Sequence, residues 1–159
     1  MTEKQVISWN EFGELAEKLA VKITGKYGSS IDIVIGMARG GIPLSMLVAD
    51  RLRAELDFMR VKSYKEIDVR AEPKLIFDIR IDINNRTVLL IDDLSDKGDT
   101  FDFATKHLLQ SYKPRHVLTA CIFVKPWSKF APDVYLEKTE KWIVYPWELH
   151  EFGVKGQES

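Results

Sequence analysis

Short apolar runs that end abruptly in charged or glycine-rich segments constrain the fold of this chain more than any other feature. Residues 31–35 lead into a glycine-rich turn, residues 88–91 stop at two aspartates, and residues 117–124 stop at a lysine and a proline. Runs of this length and composition predict buried strands. Because helical patterns separate them, they predict an α/β fold, a twisted and mostly parallel sheet with helices on both faces.

The helical patterns have recognisable starts and ends. A capping box at Ser8 and Glu11, followed by apolar residues at helical spacing, predicts a first helix that ends near Gly28. A second helix is expected to begin at Pro43, and a third helix is expected over about residues 100–112.

Weaker patterns predict further strands. Short strands are expected at residues 58–61, 134–136 and 142–145. Residues 75–83 alternate between apolar and polar side chains, which is typical of a strand that is buried on one face and antiparallel to a neighbour. The charged stretch 62–74 lacks helical periodicity and predicts a mobile loop.

Length and charge limit the classes of function. The 159 residues favour a single domain over residues 1–159. The 23 Lys and Arg residues nearly balance the 24 Asp and Glu residues, so no broad basic surface is expected to bind nucleic acid. No apolar stretch approaches the ~20 residues of a membrane span, so no membrane partner is expected. The single cysteine, Cys121, lies in an apolar run and indicates a cytoplasmic location.

The functional candidates follow the predicted strands, because ligands of open α/β sheets bind beyond the carboxyl ends of the strands. Residues 92–100 place carboxylates there, followed by a glycine turn at a helix N-terminus, which is an arrangement that binds phosphate. Paired acids can accept hydrogen bonds from sugar hydroxyls or hold Mg²⁺ through water. The motif therefore indicates a sugar phosphate with magnesium. Alternatively, the acids only end a strand and cap a helix.

Other phosphate-binding classes fit the sequence less well. The chain has neither the spacing of a P-loop nor the three-glycine fingerprint of a dinucleotide site. A response-regulator receiver would share the acid pair and the later lysine. However, no strand predicted between Asp93 and Lys125 ends in a lone aspartate that could accept a phosphoryl group.

Residues 88–100, an apolar strand followed by Asp-Asp-Leu-Ser-Asp-Lys-Gly-Asp-Thr, resemble the phosphoribosyl-pyrophosphate (PRPP) loop of type I phosphoribosyltransferases. Arg39-Gly40-Gly41 resembles the pyrophosphate loop of that family, and Lys62-Ser63-Tyr64 resembles the start of its flexible catalytic loop. The base site of its 6-oxopurine branch is similar to Lys125-Pro126, Trp142-Ile143 and Pro146-Trp147-Glu148. Small bacterial and archaeal xanthine-guanine and hypoxanthine-guanine enzymes show the closest resemblance.

The resemblance implies an enzyme that transfers the phosphoribosyl group from PRPP to N9 of guanine, hypoxanthine or xanthine, with Mg²⁺ as cofactor. A regulator that binds PRPP or a nucleotide without turnover is the alternative. The family fold implies a small hood, formed by the N-terminal segment, by residues around 126–159, or by both. It also implies a homodimer or homotetramer. Trp127, Phe130 and Trp147 are expected to be exposed, which favours such an assembly.

By the same resemblance, Asp92 and Asp93 hold the ribose hydroxyls. Asp93 also helps to position Mg²⁺, with Asp92 and Glu148 as further metal-binding candidates. Asp96 is expected near N7 of the purine, where it relays the proton that the base loses. The residues expected to bind PRPP are Arg39, Gly40, Gly41, Asp92, Asp93, Leu94, Ser95, Asp96, Lys97, Gly98, Asp99 and Thr100.

The expected catalytic residues are Asp96, Arg39, Ser63 and Tyr64. Arg39 stabilises charge on the departing pyrophosphate, together with the N–H groups of the two glycines that follow it. Closure of the loop at Ser63 and Tyr64 excludes water from the reacting sugar.

The expected purine-binding residues are Asp96, Lys125, Trp142 and Ile143. Lys125 can donate to a carbonyl at purine position 6 but cannot accept from an amino group, which favours 6-oxopurines over adenine. Trp142 is expected to stack on the base, with core packing as the alternative. The carbonyl of Ile143 is expected to read purine position 2.

Two positions depart from the family pattern. Lys97 stands where a small hydroxyl residue is usual, and Asp99 stands where a small or basic residue is usual. A carboxylate at position 99 favours the helix N-terminus but repels a bound phosphate, and Lys97 can offset that repulsion.

Overall fold

The computed structural model describes residues 2–63, 72–151 and 153. Its elements are β1 (Lys4–Val6), α1 (Trp9–Tyr27), β2 (Ile33–Met37), α2 (Gly41–Leu52), β3 (Glu55–Ser63), β4 (Pro73–Phe77), β5 (Thr87–Ile91), β6 (Leu94–Ser95), α3 (Asp99–Ser111), β7 (His116–Val124), β8 (Val134–Lys138) and β9 (Trp142–Val144). Tyr64 lies outside the described residues. None of the helices within the described ranges is long and apolar enough to cross a bilayer.

The main sheet has the strand order β4-β3-β2-β5-β7-β6, with β8 paired to β7. Its described pairings are parallel, apart from that of β4, which runs antiparallel to β3. β2 and β5 are buried along their whole length because helices cover both sides of the sheet. The predicted fold class, a mostly parallel sheet with helices on both faces, is confirmed.

Each face of the sheet has its own core. Alternate residues of a strand point to opposite faces. Val34 and Leu89 therefore pack with α1 and α2 in one apolar cluster. Ile35 and Leu90 pack with α3 in a second cluster on the other face. This two-sided burial holds the central strands in place and fixes where their carboxyl ends emerge.

The start of α1 is fixed by the predicted capping box. The Ser8 hydroxyl accepts a hydrogen bond from the Glu11 N–H at 3.1 Å, and the Glu11 carboxylate accepts one from the Ser8 N–H at 2.8 Å. Ile7 and Phe12 are buried in the same cluster on either side of this cap. A two-stranded parallel sheet lies before α1, where β1 pairs with β9 and joins the start of the chain to the segment after β8.

The strand predicted over residues 75–83 is wrong in its second half. β4 ends at Phe77, because the backbone donors that follow find side-chain acceptors instead of a neighbouring strand. The N–H of Ile79 donates to the carboxylate of Asp78, and the next two N–H groups donate to the carboxylate of Asp57 at 2.6 and 2.9 Å. The sequence predicts a loop over residues 62–74, but β3 includes the first two of these residues and β4 includes the last two.

Asp78 anchors this irregular segment to α3. Its Oδ2 lies 2.7 Å from His107 Nε2 and accepts a hydrogen bond from the Tyr112 hydroxyl at 2.9 Å. Burial alone would raise the pKa of Asp78, but the hydrogen bonds from His107, the Ile79 N–H and Tyr112 outweigh it and lower the pKa. The ionised carboxylate is therefore the form that the fold stabilises.

Replacing Asp78 with Asn is expected to lower stability in a pH-dependent way. A carboxylate whose pKa is depressed by folding stabilises the native state above its unfolded value of 3.8, and this contribution is lost as pH falls through the folded value. Denaturant unfolding at pH 7 is expected to show a loss of about 1–2 kcal/mol. The difference in the free energy of unfolding between the wild type and the variant should become smaller below about pH 4. A difference that stays constant down to pH 2 would contradict this role for the charge.

Gly36, the fourth of the five residues of β2, leaves no room for a side chain. A Cβ there would lie 2.8 Å from the Ser45 Cβ of α2 and 2.9 Å from the Phe58 ring of β3. Gly36→Ala is therefore expected to destabilise the protein by about 1–3 kcal/mol through overpacking. Gly13→Ala is the matched control, because nothing lies within 4 Å of a Cβ there. This control should stabilise α1 by about 0.5–1 kcal/mol. Equal effects of both substitutions on denaturant unfolding would refute the close packing.

Candidate active site

Three neighbouring parallel strands deliver the candidate residues to one edge of the sheet. Gly36 of β2 pairs with Ile91 of β5, and Ile91 pairs with Ala120 of β7. The loop at Arg39 and the acid pair Asp92-Asp93 therefore emerge side by side. β7 continues beyond this point and ends next to Lys125.

The acid pair lies between two strands, β5 and β6, that pair with successive parts of β7. β5 pairs with β7 up to Ile91, and β6 resumes the same parallel pairing at Leu94 and Ser95. Between them, the Asp93 carbonyl accepts a hydrogen bond from the Ile122 N–H at 3.2 Å. The backbone of Asp92 and Asp93 is thus held against the sheet, while the chain leaves regular strand geometry for two residues.

The loop after β2 packs directly against the acid pair. A Cβ on Gly40 would lie 2.4 Å from the Asp93 carboxylate, and a Cβ on Gly41 would lie 2.7 Å from the Ile91 carbonyl. Only glycine permits this approach without displacing a neighbour. The peptide bond between Ala38 and Arg39 is cis. The glycines that the sequence singles out thus bring the backbone of the arginine loop next to the aspartates.

The acid pair concentrates negative charge in a partly buried position. Burial raises the pKa of Asp92 well above its ordinary value, and the charge of Asp93 raises it further. Burial also raises the pKa of Asp93, as does the charge of Glu148, although the interaction with Asp92 opposes both. Hydroxyl donors or a cation at this point would stabilise the ionised carboxylates.

Glu148 reaches the acid pair from the segment after β9. Its Oε2 accepts a hydrogen bond from the Tyr145 N–H at 3.0 Å. Burial raises the pKa of Glu148, while the Tyr145 N–H and the charge of Arg39 lower it. The buried Tyr145 hydroxyl in turn donates to the Asp93 carbonyl at 2.8 Å. The structure therefore brings Glu148 and Arg39 together with the acid pair.

The donor set suits Mg²⁺ that is shared with a phosphorylated ligand. No group of three His, Cys, Asp or Glu side chains within the described residues is placed to hold a metal ion by itself. Mg²⁺ is commonly held by one or two carboxylates together with substrate phosphates and water. Asp92 and Asp93 provide such carboxylates, and a cation would relieve the repulsion that raises their pKa values.

The glycine turn after β6 forms a pocket of about 200 Å³ at the start of α3. Gly98 precedes the helix with φ of 89°, and no hydrogen bond from a side chain caps the helix there within the described residues. Asp99 and Lys97 are exposed in this loop. The pocket also includes Ser63 at the end of β3. Its lining residues are Ser63, Leu94, Ser95, Asp96, Lys97, Gly98, Asp99, Thr100 and Phe101.

Lys125 and Asp96 lie beside this phosphate-sized pocket. The backbone N–H of Lys125 donates to the backbone carbonyl of Ser95 at 2.9 Å, which places the two chain segments next to each other. The Lys125 side chain is only 6% exposed and its ammonium donates to the Lys141 carbonyl. Burial lowers the pKa of Lys125, and the negative charge of Asp96 opposes this. A buried cation and an exposed carboxylate therefore adjoin the pocket.

Trp142 and Ile143 belong to β9 and differ in exposure. Trp142 is 49% exposed, so core packing does not account for its ring. Its chain neighbour Lys141 holds the Lys125 ammonium, which brings the start of β9 close to Lys125. The side chain of Ile143 is buried in the core cluster beneath α1, which leaves its backbone as the only group that could read a ligand.

Several contacts at the site have no signal in the sequence motifs. The sequence motifs do not include Tyr145, although its hydroxyl donates a hydrogen bond to the Asp93 carbonyl. The sequence predicts Trp127 only as an exposed aromatic residue, but its indole N–H donates to Asp96 Oδ1 at 2.9 Å. The expectation that Phe130 and Trp147 are similarly exposed is wrong, because both pack against the apolar clusters. These contacts join segments distant in sequence, so spacing alone could not reveal them.

Residues 3–152 match the family described as the phosphoribosyl transferase domain. This chain belongs to the phosphoribosyltransferase family. Its described architecture and its glycine turn beyond an acid pair agree with the family resemblance that the sequence motifs indicate.

Proteins similar to this chain include bacterial and archaeal phosphoribosyltransferases. The chain is 28% identical over 130 residues to hypoxanthine-guanine phosphoribosyltransferase from Bacillus subtilis, a match that covers 78% of this chain and 70% of that protein. It is 26% identical over 151 residues to xanthine-guanine phosphoribosyltransferase from Cereibacter sphaeroides, covering 90% and 86%. The crystal structure of purine phosphoribosyltransferase from Pyrococcus horikoshii Ot3 has a TM-score of 0.81 at 30% identity, covering 91% of this chain and 93% of that chain.

Tyr145→Phe is expected to loosen the acid pair without unfolding the protein. The substitution removes the hydrogen bond to the Asp93 carbonyl and should cost about 1 kcal/mol in denaturant unfolding. Tyr27→Phe is the matched control, since the Tyr27 hydroxyl makes no hydrogen bond to any described residue and its removal should leave stability within about 0.5 kcal/mol. The same loss in both variants would show that the Tyr145 hydroxyl contributes nothing particular.

Proposed function

We propose that this chain transfers the 5-phosphoribosyl group of PRPP to N9 of a 6-oxopurine, which gives a nucleoside monophosphate and pyrophosphate. The observation that carries the proposal is that Asp96 lines the glycine-turn pocket while the buried Lys125 lies against Ser95 of the same pocket, close enough to feel the charge of Asp96. Relatives named for hypoxanthine, guanine and xanthine support the same substrate class.

The sugar phosphate would occupy the pocket and the acid pair together. The N–H groups of the turn and of the first residues of α3 would bind the 5′-phosphate, since a helix N-terminus favours an anion. Asp92 and Asp93 would accept hydrogen bonds from the ribose hydroxyls. Lys97 would offset the repulsion between the phosphate and Asp99.

The pyrophosphate would lie against the loop after β2. Arg39 and the N–H groups of Gly40 and Gly41 would stabilise the negative charge that develops as the bond from the sugar carbon to pyrophosphate breaks. Bound Mg²⁺, held by Asp92 or Asp93 with Glu148 nearby, would supply further stabilisation of that charge. Ser63 at the edge of the pocket would help to keep water from the reacting sugar carbon.

The purine would be read by one cation and one carboxylate. The Lys125 ammonium has three N–H donors, of which the Lys141 carbonyl accepts one, so a second is available for O6 of the base. Asp96 would accept the proton from N7 while N9 forms its bond to the sugar carbon. Trp142 would stack on the base, and the Ile143 carbonyl would face position 2. The same donor at O6 serves guanine, hypoxanthine and xanthine.

We also propose a domain organisation, an oligomeric state and a cellular location for this protein. The small sheet of β1 and β9, with the segment after it, would serve as the hood over the base site of a single domain. A homodimer or homotetramer in the cytoplasm fits the 53% exposed Trp127 and the free, buried Cys121. Sedimentation of the purified protein measures the oligomeric state directly.

The activity is tested by incubating the purified protein with PRPP, Mg²⁺ and one base at a time, followed by chromatography of the products. Guanine, hypoxanthine or xanthine should give its monophosphate and pyrophosphate, whereas adenine should give none. Chelation of Mg²⁺ should abolish product formation. If none of the three 6-oxopurines reacts, the proposal fails, and tight binding of PRPP without turnover would then indicate a regulator.

Asp96→Asn is expected to impair turnover far more than substrate binding. The amide cannot take the N7 proton, so kcat should fall by about 100-fold or more, while KM for PRPP changes by less than about threefold. Asp50→Asn is the matched control, because Asp50 is an exposed aspartate near the C-terminal end of α2, remote from the end of that helix at Gly41. Undiminished kcat in Asp96→Asn would exclude Asp96 as the proton acceptor.

A further inference from the structure

The segment 127–130, which we call the brace, follows the purine-binding lysine and packs along the glycine turn. The Trp127 indole N–H donates to Asp96 Oδ1 at 2.9 Å, and the Ser128 hydroxyl lies 3.0 Å from the Ser95 hydroxyl. The next N–H of the brace donates to the Lys97 carbonyl at 3.0 Å. Three successive residues of the brace thus contact three successive residues of the turn.

The far end of the brace is fixed by packing. The Phe130 ring stacks on the Phe101 ring with centroids 5.4 Å apart and an interplanar angle of 8°. A Cβ on Gly98 would lie 2.6 Å from the Phe130 backbone nitrogen, so the turn and the brace touch at backbone level. The position of the Trp127 backbone is therefore set by the fold rather than by its own side chain.

Trp127 itself lies between the two polar groups that face the base. Its ring centroid is 5.6 Å from the Lys125 ammonium, while its N–H is bonded to Asp96. The side chain is 53% exposed, so burial in the core does not explain an indole at this position. A cation beside the ring and a carboxylate at its N–H are both favourable contacts for an indole.

These contacts match the chemistry of one purine edge. O6 and N7 are neighbours on one edge of guanine, and N7 of the reacting base carries the proton that the reaction removes. A donor for O6 and an acceptor for the N7 proton must therefore be held a fixed distance apart. We infer that Trp127 is a positioning residue, which holds Oδ1 of Asp96 and leaves Oδ2 directed at N7 while Lys125 reads O6. This inference rests on the proposed function.

The proton balance assigns Trp127 no chemical step of its own. The bond between N9 and the sugar carbon forms as the bond from that carbon to pyrophosphate breaks. The proton on N7 passes to Asp96 Oδ2, and the indole keeps its proton throughout. Loss of the indole N–H should therefore slow proton transfer by misplacing the carboxylate, with little effect on PRPP binding.

Trp127→Phe tests the role of the N–H in the full-length protein. We expect kcat for guanine to fall about tenfold, because misplacing a catalytic group costs rate, while KM for PRPP stays within about twofold. Tyr27→Phe is the control, since Tyr27 lies at the C-terminal end of α1 beside Thr87 at the start of β5, at the opposite edge of the sheet from the site, and its kcat should equal that of the wild type. Incorporation of benzothienylalanine at position 127 replaces N–H by sulfur and should reproduce the loss, even where the Phe variant folds poorly.

A double-mutant cycle separates positioning from general disruption. In the Asp96→Asn background, Trp127→Phe should cause no further loss of kcat. In the protein that retains Asp96, Trp127→His keeps an N–H donor and should have a higher kcat than Trp127→Phe. Wild-type kcat in the Trp127 variants, or an equal loss in the Asp96→Asn background, would overturn the inference alone. A wild-type protein without turnover would overturn the proposed function, and the inference with it.

Discussion

The in-register parallel pairing of β2, β5 and β7 is the constraint on which the candidate site depends. It aligns Gly36, Ile91 and Ala120 across the sheet, so the loops that follow the first two strands must emerge together. Apolar clusters on both faces hold these strands, and the absence of a side chain at Gly36 lets α2 approach closely. The functional groups are thus placed by the burial of residues that never touch a ligand.

The break in pairing along β7 gives the acid pair its properties. Asp92 and Asp93 sit where β5 has ended and β6 has not begun, close to the sheet and partly removed from water. That burial and the charge of Asp93 raise the pKa of Asp92, while burial and the nearby carboxylate of Glu148 raise the pKa of Asp93. A nearly neutral protein can therefore gather three carboxyl groups at one point, next to Arg39 and the glycine turn, where a cation or hydroxyl donors would stabilise their ionised forms.

The sequence predicts this architecture well where one periodicity dominates. The buried strands, the capping box at Ser8 and the helix after the glycine turn are all confirmed. The alternation of apolar and polar residues over 75–83 predicts a strand that is too long. In its second half, the backbone N–H groups donate to the side chains of Asp57 and Asp78 instead of to a neighbouring strand. The contacts of Tyr145 and Trp127 depend on tertiary packing between distant segments, which no local pattern encodes.

We propose that the strand ends form one site for a purine nucleotide. A crystal structure of the protein with bound guanosine monophosphate tests it most directly. We expect the phosphate within hydrogen-bond distance of the N–H groups of the glycine turn, the ribose hydroxyls on Asp92 and Asp93, and O6 and N7 facing Lys125 and Asp96. A nucleotide bound away from the turn, or with its O6 edge directed away from Lys125, would contradict the account.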